Sequence, residues 1–183
     1  MEHATQSPSE RDFVAYIRHE SARGAVLCAH AFLEYELKRT LMTKLVAVGA
    51  DRKKLAPLFD DDSGELRGGP ALDRLAYALG LIDDPTRQAL AAVRKLRNKF
   101  AHKLERKSLT KVDVASISHH LDPTVLDMII GSTDHRKDSS PQYQFCLAAL
   151  EIIVAIRRQS RSIIVRQCQD GILTTPCAIK PGE

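Results

Sequence analysis

A chain of 183 residues that is 44% apolar and 27% charged is long enough to bury a core of its own and too apolar to be intrinsically disordered. Its 9 Gly and 8 Pro exclude fibrous and low-complexity classes. An aromatic content of 5%, with abundant Leu, Ala, Arg, Lys and Glu, favours helices over a β-sandwich or barrel, and the formal charge of +4 is too small to imply nucleic-acid binding by itself.

Taken in chain order, Ser7-Pro8-Ser9-Glu10 reads as a helix start, with Phe13 and Ile17 on the apolar face of a short first helix. Residues 21–48 form the longest periodic stretch. Leu27, His30, Glu34, Leu37, Leu41, Leu45 and Val48 recur at steps of three and four, the seam of a helix packed in a bundle, until Gly49 ends it. A short helical piece over 51–58 precedes a polar, Gly-rich loop over 59–70. Pro70 sits in the first turn of the next helix, whose inner face is Leu72, Leu75, Ala76 and Leu79, and Gly80 stops it. Asp83 or Asp84 caps a long helix running through Leu90, Val93, Leu96, Phe100 and Leu104. Residues 111–121 can form a further short helix, and 131–141 a second hydrophilic loop. The last long helix spans about 141–165 with Phe145, Ala149, Ile152, Ile153 and Ile156 inward. The expected architecture is all-α: an antiparallel helical bundle of about four long helices plus short accessory ones, one domain over residues 1–166, then a poorly packed tail over 167–183.

The most apolar window, residues 145–156, is interrupted by Glu151 and falls short of the ~20 residues a membrane span needs. The polar start of the chain has no secretory pattern, and the four cysteines, irregularly spaced, read as reduced thiols. The expected location is therefore cytoplasmic, with no membrane association.

Charge is unevenly spread. Between residues 94 and 111 eight Lys or Arg stand against the single acid Glu105, and Arg157, Arg158, Arg161 and Arg166 form a second cluster. Such stripes are either solvated faces or anion-binding surfaces. Within the first, Arg97-Asn98-Lys99-Phe100-Ala101-His102 is the most informative segment. Asn98 and His102 are i,i+4 neighbours, Arg94 extends their stripe, and Arg97 lies beside it toward the apolar seam. A permanent guanidinium fork and a histidine on adjacent stripes can hold a phosphate and move a proton, or they can serve as an ion pair and a helix end. Glu34 occupies a seam position where an apolar residue belongs. It is expected to be buried and paired, with Arg97 as the best partner and His30 on the same stripe, as a structural clasp or as the wall of a polar pocket.

Other motifs are weak. Asp60, Asp62 and Gly64 fail the calcium-loop pattern, and the adjacent His119 and His120 fall on different helix faces and make a poor metal pair. Neither a metal nor a cofactor is expected. Residues 110–121 lack the preceding helix-turn that a DNA-reading helix requires, so direct DNA reading is disfavoured.

The run Leu58-Phe59-Asp60, Gly64-Glu65-Leu66, Ala71-Leu72-Asp73-Arg74-Leu75-Ala76-Tyr77-Ala78-Leu79-Gly80-Leu81-Ile82 and Leu96-Arg97-Asn98-Lys99-Phe100-Ala101-His102, with Phe32-Leu33-Glu34 before it, resembles the mannitol operon repressor (MltR) family over roughly residues 10–165. That resemblance implies an all-α transcriptional regulator or repressor acting through protein contacts, as a homodimer and with a partner such as another regulator. The Arg-x4-His element is also similar to the signature of the HEPN superfamily, many of whose members are dimeric, metal-independent ribonucleases. Carried over, that likeness makes Arg97 the holder of a scissile phosphate, His102 a general acid or base and Asn98 an orienting group, with RNA as the substrate. The leading expectation is a regulator that is not an enzyme, and a toxin-like endoribonuclease is the alternative.

Overall fold

The computed structural model describes residues 10–60, 62–66, 68–103, 105–122, 124–125 and 140–169. Every regular element among them is helical, so the all-α expectation holds: α1 (Glu10–Ile17), α2 (Ala22–Ala47), α3 (Arg52–Leu55) continued by a 3-10 turn (Ala56–Phe59), α4 (Gly69–Ala78), α5 (Asp84–His102), α6 (Lys111–Ser118) and α7 (Pro141–Gln169). Among the described residues no helix is long and apolar enough to cross a membrane. Leu104, the 131–139 part of the second loop, Cys177 and the tail from 170 lie outside the described residues.

Local chemistry sets the helix ends. Ser21 caps α2, its Oγ accepting from the Gly24 N–H at 3.0 Å. At the other end Gly49 takes φ +94°, its N–H returns to the Val46 carbonyl and the Ala50 N–H to that of Leu45. That is a Schellman stop, which needs a residue tolerating the left-handed region. Gly80 repeats it after α4, with Leu81 as the buried apolar residue that follows. Asp83 starts α5 by accepting the Thr86 N–H at 2.9 Å.

The described residues 60 and 62–64 of the loop between α3 and α4 form a hydrogen-bonded turn. Asp60 Oδ1 accepts from the Asp62 and Ser63 backbone N–H groups and from the Ser63 hydroxyl, which together hold its carboxyl below the usual range. A Cβ at Gly64 would stand 2.5 Å from the Leu58 carbonyl oxygen, so only glycine fits there.

Contact density divides the chain into two compact units, Met1–Leu33 with Gln88–Ile152, and Glu34–Arg87 with Ile153–Glu183. In the first, Phe13 stacks on Phe32 with ring centroids 4.7 Å apart, and Ala25, Val26, Ala29, Leu33, Val93, Phe100, Ile117 and Phe145 are buried. Gln142 ties the first turn of α7 to the α1–α2 connection by donating to the Glu20 carbonyl. In the second, Leu37, Leu41, Leu72, Ala76, Leu81 and Ile156 are buried, and Gln159 accepts the Asp83 N–H at 2.8 Å.

Two acids within these cores differ in their partners. Glu36, fully buried in the second unit, receives a two-pronged guanidinium from Arg157 (2.9 and 3.1 Å) and a third bond from Arg39 at 2.9 Å. Glu151, 4% exposed in the first unit, takes the Asp122 backbone N–H but leaves Oε1 with no hydrogen-bond partner. Burial, assisted by the nearby Asp122 charge, pushes its pKa from 4.5 up to about 7.

Two predictions follow from these acids. Glu36→Ala removes the buried acid that Arg157 and Arg39 bind and is expected to cost of the order of 3–5 kcal/mol in urea denaturation, with a smaller loss for Glu34→Ala. Because folded Glu151 holds a proton up to about pH 7 and the unfolded chain releases it near 4.5, the stability this group favours is complete at low pH and is lost as pH rises through 7. At about 1.4 kcal/mol per unit, Glu151→Gln should leave stability nearly unchanged at pH 4 and raise it by up to roughly 3 kcal/mol at pH 8. Parallel stability curves for the two proteins would refute the assignment.

Candidate functional site

Helix α5 is amphipathic by sequence. Ala89, Leu90, Val93, Leu96 and Phe100 face inward, while Gln88, Lys95, Asn98, Lys99 and His102 are exposed. Lys99 and His102 fall in its last turn; the Lys99 cation suits the carbonyl end of the helix dipole, and Arg23 adds a second cation by donating to the Lys103 carbonyl at 3.0 Å.

Helix α6 is fixed at its start by a capping box: Thr110 Oγ1 accepts the Asp113 N–H, and the Asp113 carboxylate accepts the Thr110 N–H. The same carboxylate takes the Thr110 hydroxyl at 2.7 Å and an ion pair from Arg106, whose guanidinium lies 5.0 Å from the centroid of the Phe100 ring. Burial alone would raise the Asp113 pKa. The bonds from Thr110 and the bond and charge from Arg106 outweigh that and hold it below the usual carboxylate value. One acid thus anchors α6 beside α5.

Between the two helices lies a cleft of about 650 Å³. From the α5 side it is lined by apolar Ala91, Ala92 and Leu96 together with Lys95, Lys99, Lys103, Asn98 and His102. Asp113, Ser116 and His120, at i, i+3 and i+7, close it from α6 and its following turn. With Asp113 paired to Arg106, the net field in the cleft is positive.

The residues singled out by sequence are dispersed. Asn98 and His102 line the cleft, both exposed. Arg97 is half-buried, outside that lining, and donates through Nη1 to Asn98 Oδ1 at 3.2 Å. Arg94 and His30 are half-buried. Glu34 is half-buried as well, which corrects the expectation of a buried seam carboxylate there. The fully buried acid is Glu36, two residues on, and the arginines that hold it are Arg157 and Arg39.

The reason for the correction is the phase of α2. Its buried stripe is Ala22, Ala25, Val26, Ala29, Leu33, Glu36, Leu37, Thr40, Leu41 and Lys44, so the inner face is rotated from the leucine-weighted seam, meeting it at Leu37 and Leu41. Sequence reasoning also missed His120, dismissed with His119 as a metal pair, and Ser116, because their relation to α5 exists only once α6 is folded against it. Among the described residues no group of three or more His, Cys, Asp or Glu could hold a metal ion. Asp60, in the rejected calcium loop, is engaged with its own backbone.

The fold and cleft define an all-α protein with a lysine-lined groove. No protein-family model matches the chain, and no curated protein matches it significantly. Among solved structures it is similar to that of a possible transcriptional regulator, YggD, from Shigella flexneri 2a str. 2457T, at 15% identity and a TM-score of 0.58, over 83% of this chain and 99% of that one. The two share a fold.

The anchoring of the cleft wall is open to test. Thr110→Ala removes the cap and is expected to cost about 1 kcal/mol. Asp113→Ala, which also leaves Arg106 without its ion pair, should cost several kcal/mol in the same denaturation series, about 3 or more.

Proposed function

We propose that this chain is a cytoplasmic transcriptional regulator acting through contacts with other proteins, as a homodimer. The observation that carries the reading is the fold it shares with the YggD structure, itself described as a possible transcriptional regulator. The MltR-like segments, among them 71–82 and Arg97 to His102, point the same way. Part of the basic charge that could meet a DNA duplex is engaged inside the protein. Arg157, from the C-terminal basic cluster, is 17% exposed and bound to Glu36, and Arg106, from the central one, is bound to Asp113. The exposed cations of the cleft are lysines, which line it together with apolar Ala91, Ala92 and Leu96.

A second reading has one observation in its favour. Asn98 and His102 share their cleft with a second histidine, His120, as a metal-independent endoribonuclease acting on RNA would use. Against it, Arg97, the expected phosphate holder, is outside the cleft lining and engages Asn98.

One pair of measurements separates these readings. Deleting the gene is expected to change the transcript levels of a defined gene set, while the pure protein leaves RNA intact in EDTA. RNA cleavage that disappears with His102→Ala would replace the regulator by the nuclease, and unchanged transcripts on deletion would end the regulator reading.

A further inference from the structure

We infer that the α5–α6 cleft is a docking groove for an acidic amphipathic helix of a partner protein. This rests on the regulator reading and specifies the partner's chemistry. Three features of the groove select such a helix.

The first is the make-up of its α5 face. Ala91, Ala92 and Leu96 supply apolar lining in which the two alanines leave room for side chains from an apposed helix, and Lys95, Lys99 and Lys103 line the same face. A helix carrying both apolar side chains and Asp or Glu on one face meets the apolar lining and the lysines together.

The second is its length. From Gln88 to His102 the lining follows α5 for about 21 Å at the helical rise, the span of four turns of a partner helix. Asn98 and Ser116 supply polar groups that can donate to carboxylates at the edge of the groove.

The third is what the lining is made of. Among the described residues its cations are lysines, point charges, and no guanidinium fork is there to grip a phosphate from two sides. The rings among its described residues are the two histidines, and no Phe or Tyr platform on which bases stack stands with them. This composition suits carboxylates on a folded surface better than a nucleic-acid strand.

The test uses the full chain and three labelled probes in fluorescence anisotropy. They are an acidic amphipathic peptide of about 18 residues with Leu on one face and Asp or Glu flanking it, a scrambled peptide of equal composition, and a short oligouridylate. The amphipathic peptide is expected to bind at least about tenfold more tightly than the scramble. Lys95→Gln/Lys99→Gln should weaken it about tenfold and Lys95→Glu/Lys99→Glu abolish it. Lys53→Glu/Lys54→Glu, the same charge change on exposed lysines of α3, should leave it intact. Circular dichroism and melting of each variant confirm that the fold is kept.

Equal binding of the two peptides, equal loss in the α3 control, preferential binding of the oligouridylate, or no binding of the amphipathic peptide each overturns the inference. The regulator reading stands or falls separately, on the transcript levels after deletion.

Discussion

A buried carboxylate is tolerated only where its charge is met, and Glu36 shows what that requires of a helical core. It lies on the inner face of α2 between Leu33 and Leu37, entirely out of water, and its oxygens are filled by Arg157 of α7 and Arg39 one turn on. Removing water from such a pair costs several kcal/mol per ion, so the geometry has to be good before the pair helps at all. The two-pronged approach of Arg157 fixes the rotation and the axial position of one helix against the other within that unit. An apolar contact, which tolerates sliding, does not do this. The stripe continues through Thr40 and Lys44, both buried, so the second unit carries an unusually polar inner face for a helix of this length.

The same rule governs the surface. Eight basic residues between 94 and 111 look like one charged stretch, but the fold sorts them by function. Arg106 is taken up by Asp113 and holds α6 in place, while Arg94 and Arg97 are half-buried along α5. Lys95, Lys99 and Lys103 line the cleft, and Lys107 and Lys111 are exposed outside it. Pairing inside the protein decides which charges a partner encounters.

Much of this was legible in the sequence, and the failures have a common cause. Helix ends were set by residues with local chemistry: Gly49 and Gly80 by their left-handed backbone, Asp83 by its side-chain bond to the first turn of α5. The inner face of α7, from Phe145 to Ile156, followed from apolar spacing, as did that of α5. The phase of α2 did not. Its leucines drew the seam toward Leu27 and Glu34, whereas the buried face in the first unit is made of Ala22, Ala25, Val26 and Ala29, small residues that a size-weighted pattern passes over. That error of less than one third of a turn moved the buried acid from Glu36 to Glu34. On the candidate site, Asn98 and His102 could be found on one helix, but Ser116 and His120 become neighbours of that helix only through the Thr110–Asp113–Arg106 anchor. No spacing along a single helix encodes such a relation.

The turn between α3 and α4 bears on how the chain can be altered. Rich in Asp, Ser and Gly, the segment looks by composition like the natural place to splice in an epitope or a fluorescent reporter. Its carboxylate at Asp60 gathers three donors, however, and Gly64 is pressed against the Leu58 carbonyl with no room for even a methyl group. Foreign sequence there breaks a wrapped turn instead of extending a slack one.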